Sequence, residues 1–193
     1  DALMWKFEPD IALNNGFRFC PPLVPDPKTG IAEITMDYLW SMLPVDSEVK
    51  QGTVTGKQLW DWMEKELHNT LAKEPATRLA GWLVRFKGME VDFTIANEDG
   101  KRVNWIKVKG KAIDLNKSYT VMSCEREGDP DATICRIENV TAPKRLAVTL
   151  HSAVEEYLKK HSPIAPKLEG RATATDAPDT LLTQLMGFGY EFR

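Results

Sequence analysis

Few residues in this 193-residue chain have types and spacing that could do chemistry. Metal-assisted hydrolysis needs several Asp, His and Asn side chains converging on one or two ions. The chain has three histidines, His68, His151 and His161. Each lies near the end of a helix-like segment and reads as a solvated or capping side chain. No Gly-x-Ser-x-Gly elbow, phosphate loop or dinucleotide fingerprint occurs. Cys20, Cys124 and Cys135 are an odd number without a C-x-x-C pair, so zinc is not indicated. Cys124 and Cys135 could bridge from neighbouring strands; the alternative, which the spacing favours, is three buried free thiols. No residue is assigned a catalytic role, and no metal ligand or cofactor is expected in this chain.

What remains is a binding constellation. Asn15, Gly16, Phe17, Arg18 and Phe19 follow an apolar strand at 10–13. An amide, a bare backbone approach and a guanidinium at that spacing can hold an anion and orient a ligand. The flanking phenylalanines can line a planar or apolar group. Read from these residues alone, the plainer alternative is a stable turn with Arg18 paired to a surface carboxylate. Asp129 and Asp131, in the charged loop 125–131, are the remaining candidate contacts, against the alternative of a solvated acidic loop.

The elements that must position these residues centre on 34–71. Thr35 is a candidate N-cap, with Asp37 where a helix dipole favours negative charge. Pro44 ends that helix near Leu43. Residues 47–53 carry Val49 among polar neighbours, which suits a half-exposed strand, and Thr55-Gly56 turns the chain. Leu59, Trp62, Met63, Leu67 and Leu71 then form one apolar helical stripe, with Lys57, Asp61, Glu64 and Lys65 mostly off it. Trp40, Trp60 and Trp62 sit at helical spacing and read as core or rim packing. Strands are expected at 82–86, 90–95, 103–108, 118–124 and 134–140, joined by short turns, and a helix at 149–160. Residues 162–178 read as a Pro/Ala/Thr-rich connector. The pattern is a mixed α/β (α+β) domain with helices outside the sheets.

Composition agrees. A net charge of -3 and a pI near 5.7 argue against a binder of nucleic-acid polymers or a membrane surface. A 42% hydrophobic content with six tryptophans can fill a core. No apolar run is long enough to span a bilayer. The chain opens at Asp1 without an initiator Met, and it is read as a fragment of a larger protein, with a domain at 1–171 and a tail at 172–193 that holds a possible short helix.

The order helix, proline, strand, Thr-Gly, apolar helix resembles the C-terminal domain of the 5′-nucleotidase family of metallophosphoesterases. Residues 10–19 (DIALNNGFRF) resemble its strand and N-G…R turn, and residues 108–121 its Gly-containing hairpin with a Tyr-x-Val strand. The resemblance implies a layered α/β/β/α fold and a substrate-binding role. It implies that Asn15 and Arg18 contact the substrate, while two divalent metal ions sit in a separate N-terminal domain. It also implies an exported, periplasmic or extracellular protein acting on nucleotides or related phosphoesters.

The sequence departs from the family at both stacking positions. Pro44 is followed by Val45 instead of Phe, and the loop 125–134 (EREGDPDATI) has no aromatic. The short Asn15-Gly16-x-Arg18 turn and residues 34–36 are similar to the sulfur-oxidation branch, the thiosulfohydrolases, which act on a sulfur-bearing group on a carrier protein. A reading from another class is a non-catalytic binding or scaffold module, prompted by the absent aromatics and the aromatic tail 188–192. Deleting 179–193 and measuring oligomeric state separates the two.

Overall fold

The computed structural model describes residues 1–14, 22–72, 74–79, 83–165 and 167–177. The candidate residues Asn15, Gly16, Phe17, Arg18 and Phe19, together with Cys20 and the tail 178–193, lie outside the described residues.

The chain opens with helix α1 (Ala2–Phe7) and strand β1 (Ile11–Asn14). Helix α2 (Met36–Met42) follows, capped as expected: the Thr35 hydroxyl accepts the Tyr38 N–H at 3.1 Å. Strand β2 (Glu48–Thr55) then runs directly into helix α3 (Gly56–Leu71). The turn expected at Thr55-Gly56 is a capping box. The Thr55 hydroxyl accepts the Gln58 N–H at 3.1 Å, and the Gln58 side-chain carbonyl accepts the Thr55 N–H at 2.8 Å. Thr55→Ala removes one arm of this box and is expected to lower stability by about 1–2 kcal/mol, read as a urea midpoint shift at unchanged slope.

A short 3₁₀ turn (Pro75–Thr77) precedes strands β3 (Arg85–Lys87) and β4 (Met89–Phe93). The hairpin β5 (Val103–Val108) and β6 (Lys111–Ala112) leads to β7 (Ser118–Cys124), β8 (Thr141–Thr149), helix α4 (Leu150–His161) and β9 (Ala172–Ala174). Two mixed sheets result, one of five strands in the order β3-β1-β7-β2-β8 and one of four in the order β6-β5-β4-β9. This is the expected α+β class.

Strand alternation divides the core. Ile11, Leu13, Val54, Tyr119 and Val121 face inward onto the second sheet and the α3 stripe of Leu59, Trp62, Met63 and Leu67. Ala12, Val49 and Met122 face the other way, against Leu3 of α1 and Ala153 of α4. A sheet buried on both faces needs apolar residues at successive positions, as in the IAL run that begins β1.

Two expectations need correction, and one strand is new. Residues 134–140 are not a strand. They pair only as a single bridge between Ile134 and Ile137, and their apolar side chains plug the inner face of β2. A Cβ at Gly52 would lie 2.2 Å from Val140 Cγ1, so the plug presses directly on the β2 backbone. The strand that borders β2 opposite β7 is β8, which the sequence pattern does not suggest. In the 162–178 connector, β9 extends the four-stranded sheet beside β4.

Candidate functional site

Among the described residues, β1 and β7 are the one parallel pair in the five-stranded sheet. Ile11 and Ala12 lie beside Val121 and Met122, so two more residues bring Asn14 level with Cys124. At that same end lie Arg85, paired with Asn14, and Glu48, paired with Thr149 at the start of α4. Ligands of open α/β sheets bind outside the carboxyl ends of parallel strands. Here that end releases the chain at residue 15 from β1 and at Glu125 from β7. The two loops nominated by sequence therefore start side by side, although 110 residues separate their strands.

The loop after β7 is fixed at its stem. The Glu125 N–H donates to the Glu48 carbonyl at 2.7 Å. Glu125 Oε1 accepts from Arg145 Nε at 2.7 Å, and Lys50 Nζ lies 3.7 Å from it. Arg145 Nη2 also donates to Asp131 Oδ1 at 2.7 Å, and Lys50 Nζ to the Pro130 carbonyl at 3.4 Å. Lys50 is buried at 2% exposure, and these partners are what make a buried ammonium tolerable. Asp131 is thus a stem anchor. Asp129 is half-buried and lines an open groove of 570 Å³ with Arg78, Asn69, Thr133 and Arg136.

Farther along, the loop is clamped to α3. The Ile134 and Ile137 backbones exchange hydrogen bonds at 3.0 and 2.9 Å around Cys135 and Arg136, whose φ angles are 49° and 69°. Both residues lie in the left-handed region that costs non-glycine residues energy. The Trp62 indole N–H donates to the Cys135 carbonyl at 3.1 Å. The Gln58 amide donates to the Glu138 and Asn139 carbonyls, and Arg136 Nε donates to Glu66 Oε1 at 2.7 Å. Glu66 is 0% exposed, and its second oxygen also pairs with Arg136. That contact raises the Arg136 pKa.

Cys124 and Cys135 are free thiols, and strand geometry explains it. Cys124 follows Met122 on the face toward α1 and α4, where it lines a cavity with Leu3, Leu150 and Val154. Cys135 sits in the inner core on the opposite face. Burial pushes the Cys124 thiol up and pushes Cys135 to about 12, so neither is poised as a thiolate nucleophile.

The histidines are dispersed. His68 Nδ1 pairs with Asp99 Oδ2 at 3.0 Å, and the His161 ring stacks on Tyr157. His151 corrects the sequence reading: it is buried at 4% exposure instead of solvated. Its Nε2 lies 2.6 Å from the Leu43 carbonyl, which can only accept, so Nε2 carries the proton. Its backbone N–H donates to Asp46 Oδ1 at 2.8 Å, and its ring meets Trp40 edge-on. Sequence spacing carries no signal for this contact, which pins the 43–47 turn to α4. Among the described residues no group of three or more His, Cys, Asp or Glu could hold a metal ion.

Comparisons with known proteins agree with this fold. Residues 1–125 match the family model described as 5′-nucleotidase, C-terminal domain. A relative named Protein 5NUC, from Lutzomyia longipalpis, is 26% identical over 158 residues, taking in 77% of this chain and 27% of that protein. The fold matches that of the sulfate thiohydrolase SoxB of Thermus thermophilus with a TM-score of 0.70 at 18% identity, over 90% of this chain and 30% of that one. It matches a 5′-nucleotidase precursor, also from Thermus thermophilus, with a TM-score of 0.64 at 20% identity, over 90% and 34%. At these identities the structural likeness is one of fold. This chain spans 27% of the length of the curated relative it matches. The family model runs through the capped helix–strand–helix unit and through both strands that carry the candidate loops, and the chain belongs to the 5′-nucleotidase C-terminal domain family.

Proposed function

We propose that this chain is the substrate-binding and specificity domain of a 5′-nucleotidase-type hydrolase acting on nucleotides or related phosphoesters. The observation that carries this reading is the parallel pairing of β1 with β7, which starts both candidate loops at one end of the sheet. Asn15 and Arg18 supply an amide and a guanidinium for an anionic group, Gly16 lets backbone approach, and Phe17 and Phe19 flank the ligand. Asp129, on the loop that leaves β7, adds a carboxylate that can accept from ligand hydroxyls. The bond-breaking groups, with two divalent metal ions, belong to an N-terminal metallophosphoesterase domain of the same protein. This chain alone is inactive. The whole protein is exported to the periplasm or beyond, a reading supported by the precursor name of one matched structure. No helix among the described residues is long and apolar enough to cross a membrane.

A second reading is favoured by one exposed side chain. Val45, beside Pro44 in the turn that His151 pins, is 56% exposed and offers no flat ring to a nucleobase. A ligand without a base, such as a sulfur-bearing group on a carrier protein, would not need one. Titrating the 193-residue chain with adenosine monophosphate, phosphate and thiosulfate while following backbone amide shifts separates the readings. Shifts at Asn14, Glu125 and Asp129 with the nucleotide alone favour the first. Shifts with thiosulfate alone favour the second, and no shift with any of the three overturns both.

A further inference from the structure

Helix α2 is scarcely covered by the rest of the protein. Of its seven residues only Leu39 is buried. Met36 and Trp40, one helical turn apart on one side of it, are 45% and 48% exposed, and exposed Val45 follows in the turn that leads to β2. With Val24 and Ile31 just before the helix, half of the large exposed apolar side chains among the described residues fall between 24 and 45. Exposed apolar residues scattered singly need no explanation, whereas such a concentration marks a contact surface. The stretch is also well tied. Asp26 closes the 26–31 loop, its carboxylate accepting the Lys28 and Thr29 N–H groups and its own N–H donating to the Ile31 carbonyl at 2.9 Å. The Trp40 ring is held edge-on against buried His151, with ring centres 4.2 Å apart. A large aromatic fixed in place while half exposed has the character of an interface anchor.

We infer that the α2 face, centred on Met36 and Trp40, is where this domain docks on the N-terminal metallophosphoesterase domain of the same protein. This inference rests on the proposed function and deepens it by naming the contact surface. Position, chain length and charge choose that occupant. Val49 pairs with Cys124, so the turn 44–47 that follows α2 lies beyond the carboxyl end of β7. The end of α2 is tied to the same place through the Leu43 carbonyl and His151. A domain that carries the bond-breaking groups has to approach that end of the sheet, and the α2 face borders its path. Such a domain has ample chain to form from, because this chain covers only about a third of each matched structure. The rim of the face is acidic, with Asp26, Glu33, Asp37 and Asp46 against Lys28. Two copies of it would repel each other, so the fitting surface is an apolar hollow ringed by basic residues and not a second α2 face.

The test is hydroxyl-radical footprinting of the full-length protein that contains this chain. Trp105, 39% exposed on the four-stranded sheet, is the internal reference for Trp40. Trp40 is expected to oxidise about tenfold more slowly than Trp105, as for a face covered about nine-tenths of the time. Met36→Glu keeps a favourable residue at the helix start but spoils an apolar contact, and should bring the Trp40 rate up to that of Trp105. Equal rates in the parent, or protection that Met36→Glu leaves intact, overturn the docking face. So does protection seen only at concentrations where sedimentation shows a dimer, since a second copy is then the cover. Hydrolysis of adenosine monophosphate, with magnesium or manganese supplied, is followed on the same preparation. An unprotected face on a protein that hydrolyses it removes this inference and leaves the proposed function standing. A protected face in a monomer that does not hydrolyse it keeps the docking face and removes the proposed substrate class.

Discussion

Replacing Glu66 by alanine is expected to destabilise the domain by about 3–5 kcal/mol, the usual cost of breaking a buried ion pair from one side. Glu66 is fully buried, and the Arg136 side chain is 17% exposed. Removing the carboxylate leaves the guanidinium against the inner core with its strongest partner gone. The loss also releases a turn that does not hold its shape cheaply. Cys135 and Arg136 both have positive φ, and Asn139 follows at 55°. The Trp62 and Gln58 contacts and the exposed Lys65–Glu138 pair must then keep the loop on α3. Amide exchange across 134–140 should accelerate together with the fall in urea midpoint. Glu66→Gln keeps the shape and one acceptor, so it should cost less. The double replacement Glu66→Met with Arg136→Met should recover much of the loss, because neither charge is then left buried. A loss below about 1 kcal/mol for Glu66→Ala would mean that the pair does not hold the turn.

That clamp was not visible in the sequence, and the reason is physical. One helix start was legible because a hydroxyl precedes an apolar spacing: Thr35 caps as read, whereas Thr55, read only as part of a turn, closes a capping box. The α3 stripe was legible because Leu59, Trp62, Met63 and Leu67 repeat at helical intervals and are all buried. Glu64 was read as lying off that stripe, yet it is buried too. Its carboxylate accepts the Arg102 and Val103 N–H groups at 3.1 and 2.7 Å. The partners that make Glu64, Glu66 and His151 tolerable inside the protein lie 38, 70 and 108 positions away in the chain. Such partners leave no local pattern. Strand β8 was hidden for another reason. It borders β2 alone, its register is broken by bulges, and its exposed middle reads Pro143-Lys144-Arg145, which is edge chemistry. Residues 134–140 were read as a strand, whereas Ile134 and Val140 fill the space over Gly52. The candidate site was legible as two separate loops. Their adjacency follows from a parallel pairing that no short-range signal encodes.

Gly88→Ala should be about as damaging as the loss of Glu66, with an expected cost of about 2–5 kcal/mol. Gly88 is the single residue between β3 of one sheet and β4 of the other. Its φ is +88°, where a side chain is strained whatever space surrounds it. Space is also lacking, because a Cβ would lie 2.1 Å from the Asp10 carbonyl oxygen. That oxygen belongs to backbone, so it cannot swing aside as the nearby Met4 tip can. Asp10 is further tied to β7, since its N–H donates to the Thr120 hydroxyl and its carboxylate accepts the Thr120 N–H, each at 2.8 Å. The Gly88 carbonyl meanwhile accepts the Lys109 N–H at 2.9 Å, which fixes the residue from the β5 side. Relief of the clash would therefore have to move β1 against β7, at the strand pair whose far end carries the candidate loops. Gly100→Ala isolates the two contributions. Gly100 has φ +79° and nothing within 4 Å of an added Cβ, so it should show the backbone cost alone, about 1 kcal/mol. The excess at Gly88 over Gly100 then measures the close approach of the two sheets. Equal losses at the two positions would show that Asp10 and Gly88 are not in contact in solution. A large excess, with the amides of β1 shifted in a Gly88→Ala protein that still folds, would show that the seam between the sheets sets the position of the strand leading into the binding turn.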